Sequence, residues 1–315
     1  MNVLYPPLAP FKTFHLAVTE GHSIYVEQSG NVSGIPVIFL HGGPCSGTRP
    51  SHRQFFNPDF FHIILFDQRG CGQSKPFGKI AGNTTADLIA DMEAIREYLS
   101  IDTWVLFGGS WGAALALLYA QQFKERVEAL VLRGVFLARR QDMDWFIKAG
   151  ANKIYPELFE DLLAALPEHA VNERVERLYQ TVFGADEKAA IKAAQAWEAW
   201  GSQLAVGADY NGEEASGDAE KLLAQVKMEL HYAKNNYFIE DNQILNQCGT
   251  LTDIPAVIIH GRQDLVCPLE AAWSLARALP QADFNVLPTA GHIAQGDAMV
   301  DALVTAMDDF KKRTS

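Results

Sequence analysis

The stretch Val105-Leu106-Phe107-Gly108-Gly109-Ser110-Trp111-Gly112-Ala113-Ala114 decides how this chain reads. An apolar run leads into a serine set between glycines, and small and apolar residues follow. This is the G-x-S-x-G pattern of a nucleophile elbow, where a sharp strand-to-helix turn lifts a serine hydroxyl above a sheet edge. A side chain at Gly108 or Gly112 would collide with the neighbouring strand or helix. Ala113, Ala114 and Ala116 let the helix lie close to the sheet. The helix N-terminus also offers free amides to a developing negative charge. Alone the pattern is weak: with glycine and serine each near 7% of residues, chance supplies it in about one chain in ten of this length. Its surroundings must carry the reading.

Those surroundings alternate. Residues 11–19 and 23–27 read as an opening antiparallel pair with a turn at Gly21-His22. Short, continuously apolar runs at 36–40, 62–67, 103–107, 127–132, 255–260 and 283–287 read as buried strands. Residues 85–99, 112–123, 269–279 and 299–310 have helical spacing; Leu88, Ile89, Met92, Ile95, Tyr98 and Leu99 share one face. The pattern predicts an α/β fold, a mostly parallel central sheet flanked by helices. After Leu137 the alternation stops. Helical patterns at 142–150, 157–165, 171–183, 187–200 and 219–232 follow, with an exposed loop at 207–217. The expected division is a core of residues 1–137 and 248–315, with an all-helical cap, 138–247, inserted between the sixth and seventh strands.

The 315 residues are 48% hydrophobic and 20% charged, enough for one large core plus an insertion. A net charge of −12 disfavours nucleic acid and anionic membrane as partners. The excess concentrates in the insertion, where 19 Asp and Glu face 11 Lys and Arg between positions 138 and 247. Solvated helix faces explain such charge by default, and a field for a cationic substrate needs a specific carboxylate. No basic segment followed by an apolar run opens the chain, and no apolar stretch is long enough to span a bilayer. Cys45, Cys71, Cys248 and Cys267 form no CxxC pair and no metal-ligand spacing. Free thiols in a cytoplasmic protein are expected, with no metal and no cofactor.

A serine needs a base to take its proton and a carboxylate to orient that base. In elbow-bearing sheets the order along the chain is serine, acid, histidine, each after a strand. Asp264 follows the strand at 255–260, and His292 follows the strand at 283–287. Ser110, Asp264 and His292 are therefore the expected catalytic set. Asp67 is the rival acid, and its place before Gln68-Arg69-Gly70 suits a loop-shaping role. The oxyanion hole needs two converging amides. Trp111 supplies one, directly after the serine; Gly43, in the His41-Gly42-Gly43-Pro44 loop after the strand at 36–40, supplies the other. A phosphate loop is excluded, since no Lys-Ser/Thr follows these glycines and no GxGxxG occurs. A serine at position 110 also argues against epoxide hydrolysis and dehalogenation, which need a carboxylate nucleophile there.

HGGP (41–44), FDQRGCGQS (66–74), NTT (83–85), FGGSWG (107–112), LVLRG (130–134), DWF (144–146) and GRQDLVCP (261–268) together resemble the proline iminopeptidases, prolyl aminopeptidases of the α/β-hydrolase fold. The similarity runs through nearly the whole chain. It implies a cytoplasmic serine exopeptidase, without a metal, whose substrate is a small peptide, amide or ester with a free N-terminal proline. By the same resemblance Glu229 matches a cap carboxylate that binds the imino group. Phe136, Phe146 and Cys267 match ring-pocket positions, and Arg133 matches a site arginine. Two departures stand out. The family pattern Trp-x-x-Trp-Glu reads Trp197-Glu198-Ala199-Trp200-Gly201 here, so Gly201 replaces a second carboxylate, and Glu198 lies one turn back. Cys45 replaces a usual glycine beside the oxyanion loop, where it is expected to narrow or reshape the pocket. The missing carboxylate leaves an alternative: an esterase or amidase acting on a small uncharged acyl substrate. A non-catalytic scaffold fits less well, because all three catalytic residues are present.

Overall fold

The computed structural model describes residues 2–168, 170–210 and 218–314. Its strands are β1 (Lys12–Ala17), β2 (Ser23–Gly30), β3 (Ile35–Leu40), β4 (Phe61–Phe66), β5 (Trp104–Gly109), β6 (Val127–Arg133), β7 (Ala256–Gly261) and β8 (Asp283–Leu287). They form one sheet in the order β1-β2-β4-β3-β5-β6-β7-β8. The β1–β2 and β2–β4 pairs are antiparallel, and all others are parallel. All eight expected strands are present.

The continuous apolar runs follow from burial on both faces. Successive side chains of a strand point to opposite sides. Ile38 and Leu40 of β3, Ile64 and Phe66 of β4, and Trp104 and Leu106 of β5 enter one core. Their neighbours Val37, Phe39, Ile63, Leu65, Val105 and Phe107 enter the other. The described residues form ten α-helices: α1 (Thr85–Tyr98), α2 (Trp111–Gln122), α3 (Arg140–Ile147), α4 (Pro156–Ala164), α5 (Arg174–Val182), α6 (Glu187–Val206), α7 (Ala219–Lys234), α8 (Gln243–Gln247), α9 (Leu269–Ala278) and α10 (Asp297–Thr314). Apolar residues of α1, α2, α8 and α9 fill the first core, and those of α10 fill the second. No helix among the described residues is long and apolar enough to cross a membrane.

Helices α3 to α7 lie between β6 and β7 and supply a third hydrophobic cluster, including Ile147, Phe159, Leu178, Trp197, Trp200, Leu204 and Leu230. Several boundaries differ from expectation: α3 ends at Ile147 rather than 150, and α10 runs from Asp297 to Thr314 rather than over 299–310. Residues 171–173 form a 3-10 turn, and α5 proper begins at Arg174. Helix α6 does not stop near Gly201 but runs on to Val206. A mid-helix glycine costs only about 1 kcal/mol against alanine, and Trp197, Trp200 and Leu204 continue one buried stripe across it. Of the loop expected at 207–217, residues 207–209 make a 3-10 turn; 211–217 lie outside the described residues.

Asn83, Thr84 and Thr85 tie these helices to the sheet. Asn83 Nδ2 donates to the Arg69 carbonyl at 2.9 Å, while its Oδ1 accepts from Tyr232 of α7 at 2.7 Å. Thr84 caps α1 in a reciprocal box with Asp87. The Thr85 hydroxyl donates to the Tyr237 carbonyl. On the other flank, Trp145 Nε1 of α3 donates to the Leu265 carbonyl at 2.8 Å.

Strand order reverses direction at β3, since β4 lies on one side of it and β5 on the other. Ligands of open parallel sheets bind at such a switch point, and the loops after β3 and β5 meet here. Ser110, between β5 and α2, has φ 57° and ψ −124°, a conformation rarely adopted by a residue with a Cβ. The glycines make it possible. A Cβ on Gly108 would press into the Gly112 carbonyl, and one on Gly112 would press into the Leu40 carbonyl of β3. Backbone atoms cannot yield as a flexible side chain can. Gly112→Ala should therefore destabilise the fold by about 2–3 kcal/mol, as overpacking does; urea unfolding checks this, and a change under about 0.5 kcal/mol would contradict the steric reading.

Candidate active site

Asp264 sits in the loop after β7 and His292 in the loop after β8. The His292 Nδ1–H donates to Asp264 Oδ2 at 2.7 Å. The other carboxylate oxygen, Oδ1, accepts the Val266 and Cys267 amides at 3.0 and 2.8 Å. Burial pushes the Asp264 pKa up, but the imidazoles of His292 and His260 and the Cys267 amide outweigh it, leaving it below the usual carboxylate value. His260, at the end of β7, is fully buried. Its Nδ1 accepts the Val135 amide at 3.1 Å and its Nε2 bonds the Cys267 carbonyl at 2.8 Å. An amide only donates and a carbonyl only accepts, so the ring is neutral with its hydrogen on Nε2. Burial lowers its pKa and supports that state.

Ser110 and His292 line one cavity of about 250 Å³, together with Gly43, Phe136, Phe146, Glu198, Gly201, Glu229, Tyr237 and Cys267. That is just below the usual range for drug-sized ligands, about 300–1,000 Å³, and suits a single small residue. Ser110 and His292 make no direct hydrogen bond; Cys267, whose thiol burial raises well above its usual pKa, lines the same cavity. Catalytic contacts are often loose in the absence of substrate.

The loop after β3 and the start of α2 meet beside Ser110. Trp111 opens α2, so its N–H has no carbonyl one turn back within the helix. Gly43 has φ 111°, and a Cβ there would crowd the Cys45 and Ser46 amides. Gly42 packs close, since a Cβ on it would reach Ser110 Cβ at 3.2 Å. A bonded chain holds the two loops in register. Trp111 Nε1 donates to Gln68 Oε1 at 3.0 Å, Gln68 Nε2 donates to the His41 carbonyl at 2.9 Å, and the Gln68 amide donates to His41 Nε2 at 3.0 Å. The remaining ring nitrogen, Nδ1, bonds the Gly42 carbonyl at 2.9 Å. Asp67 accepts both donors of Thr48 and the Gln73 amide, at 2.6–2.8 Å. It braces the neighbouring loop and does not line the cavity.

The far wall is aromatic and acidic. The Phe136 ring meets Tyr237 edge-on at 5.0 Å, and Phe146 meets Trp197 edge-on at 5.3 Å. Trp197 Nε1 and Gln225 Nε2 donate to the Glu229 carboxylate at 2.7 and 3.2 Å. Burial and the nearby Glu198 carboxylate push the Glu229 pKa up to about 7.

The model of the alpha/beta hydrolase fold matches residues 35–298. A proline iminopeptidase of Neisseria meningitidis is 45% identical over 309 residues, covering 98% of both chains. One from Neisseria gonorrhoeae is 44% identical, covering 98% of this chain and 99% of its own. The chain belongs to the proline iminopeptidase family. Among solved structures, an esterase from Exiguobacterium antarcticum superposes with a TM-score of 0.64 at 20% identity, covering 95% of this chain and all of the esterase; at that identity it shows the fold alone. The α/β-hydrolase fold inferred from the sequence is the fold observed.

Within this proline iminopeptidase fold most of the expected site residues converge. Ser110, His292, Gly43, Glu229, Phe136, Phe146 and Cys267 all line the cavity, and Asp264 stands behind His292. Arg133 is not on the cavity wall. Its guanidinium lies under Gly109 and donates to the His292 carbonyl, so it reaches the site through the histidine loop. Cys45 also departs from expectation. It is buried, its thiol faces the Gly70 carbonyl at 3.6 Å, and it is absent from the cavity wall, so the backbone of its loop borders the pocket while its side chain does not. All four cysteines are free thiols and buried. Sequence reading missed His260, Gln68, Trp197 and Tyr237. Gln68 lay in a quoted motif, but only tertiary contacts reveal what it holds. Tyr237 lines the cavity from a 3-10 turn with φ 53°, which no apolar periodicity announces.

Proposed function

We propose that the protein is a prolyl aminopeptidase, releasing N-terminal proline through an acyl-enzyme formed on Ser110. The observation that carries this reading is one cavity holding the serine, the aspartate-backed imidazole and a carboxylate wall. On substrate arrival the Ser110 hydroxyl turns to His292 Nε2, and its oxygen attacks the prolyl carbonyl as the imidazole takes the proton. The Gly43 and Trp111 amides hold the resulting oxyanion. His292 returns its proton to the departing peptide nitrogen, the C–N bond breaks, and an ester of Ser110 remains. Water then attacks, giving its proton to His292, and proline leaves as the serine is restored. Asp264 stabilises the imidazolium in both halves. Phe136 and Phe146 hold the ring, and Glu229 receives the cationic nitrogen, a charge-assisted contact strengthened by the dry pocket. Residues 138–247 act as the cap that closes this pocket over the core of residues 1–137 and 248–315, and Arg133 serves by steadying His292. The reaction is assigned to the cytoplasm, in keeping with four free thiols.

The test compares prolyl anilide with its N-acetylated form and with a short-chain ester. The free amine should be cleaved and the blocked one should not; equal turnover of the two would overturn the proposal. Glu229 adds a pH signature. Its raised pKa leaves it protonated below about 7, so the anion that attracts the substrate appears only as pH rises through that value. KM for prolyl anilide should fall toward tenfold per pH unit between pH 5 and 7 and then level. KM for the uncharged ester should stay flat, and parallel profiles would remove Glu229 from amine recognition.

A further inference from the structure

We propose that Glu198 is the second carboxylate of the amine-binding wall, acting with Glu229 across the space left open by Gly201. This deepens the aminopeptidase reading and rests on it. Three acidic side chains line the cavity: Asp142, Glu198 and Glu229. Asp142 is already neutralised, because Arg139 donates to it at 2.6 Å. Glu198 and Glu229 have no cationic partner among the described residues. The Ser202 hydroxyl donates to Glu198 at 2.9 Å, and the Trp197 and Gln225 side chains donate to Glu229. These donors orient the two carboxylates without cancelling their charge.

Two ionised carboxylates sharing one cavity repel each other, and burial together with that repulsion raises the Glu229 pKa. Such a pair is relieved by protonation of one carboxylate or by entry of a cation between its members. Position on α6 makes the arrangement possible. Glu198 and Gly201 are three residues apart and share a helix face. A Cβ at Gly201 would meet only Phe146 Cζ, at 3.9 Å, so nothing from that position screens Glu198 from the cavity. The wall therefore suits an N-terminal imino or amino group beside an aromatic slot, with its charge shared between residues of α6 and α7.

Binding tests this apart from catalysis. The full-length protein, as wild type and as Glu198→Gln, is titrated calorimetrically with L-prolinamide and with N-acetyl-L-prolinamide. Glutamine keeps the Ser202 contact and removes only the charge. Prolinamide affinity should fall about tenfold or more, the usual worth of one charged hydrogen bond, while the acetylated ligand binds both proteins alike. The double variant Glu198→Gln, Gly201→Glu puts a carboxylate back one turn along the same face and should recover part of the loss. Equal prolinamide affinity in the two single-chain forms overturns the proposal. So does an equal fall for both ligands, which marks a structural role. If wild-type protein binds prolinamide through Glu198 yet fails to cleave prolyl anilide, the aminopeptidase reading falls and this one stands.

Discussion

Replacing Ser110 by alanine should lower kcat for prolyl anilide by about 10⁵- to 10⁶-fold, with prolinamide affinity nearly unchanged. The size follows from the division of labour in a serine, histidine and acid set, where loss of the nucleophile removes the covalent route and leaves only oxyanion stabilisation and binding. The split between rate and affinity follows from geometry. Ser110 lies between β5 and α2, whereas the carboxylates proposed to bind the amine stand on α6 and α7. Stability should change little or even rise, because a strained residue with φ 57° loses only an oxygen. Anilide release in a single-turnover assay and thermal unfolding measure the two effects. Residual turnover above about one hundredth of wild type would mean that another group, with Cys267 the nearest, carries the nucleophilic step.

The second large effect belongs to Asp264→Asn, for which kcat should fall about 10⁴-fold. The reason lies in which oxygen bonds which donor. Oδ1 takes two backbone amides, from Val266 and Cys267, and Oδ2 takes the His292 Nδ1–H. An asparagine has one carbonyl oxygen, and the two amides claim it. Its NH₂ then faces His292 and obliges Nδ1 to accept, which moves the ring hydrogen to Nε2, the atom that must receive the serine proton. His260 offers no rescue. Its own tautomer is set by Val135 and Cys267, and its Nε2 is 3.6 Å from Asp264 Oδ2, too far for a hydrogen bond. The variant should fold like wild type and lose the strongly deshielded Nδ1 proton resonance of His292. A kcat within tenfold of wild type would show that Asp264 orients nothing essential.

Much of this site was legible beforehand because short-range sterics and sheet topology constrain it. Ser110 needs glycines on both sides, and the atoms that forbid a side chain there are backbone carbonyls of β3 and α2. Asp264 and His292 follow strands that must end at the same edge in a parallel sheet, so chain order alone brought them together. Less legible were residues whose work depends on what lies across from them. Arg133 reads as a site residue, yet it stands behind the histidine loop. Cys45 reads as a pocket residue, yet a φ of 86° turns its thiol away. Gly201 reads as a helix stop, yet burial of Trp197, Trp200 and Leu204 carries α6 through it.

What the sequence alone determined, then, was the sheet, the elbow and the expectation that Ser110, Asp264 and His292 meet at one sheet edge. Each follows from a local pattern: apolar runs buried on two faces, a turn only glycine permits, and loops after strands. What only the tertiary structure decided was the charge of the pocket. Whether a carboxylate is neutralised, as Asp142 is by Arg139, or left facing another, as Glu198 faces Glu229, depends on distances between helices that no spacing along the chain encodes. Electrostatic energy depends on separation and surroundings in space, so the acidic wall of the cavity emerged only once α6 and α7 were placed beside each other.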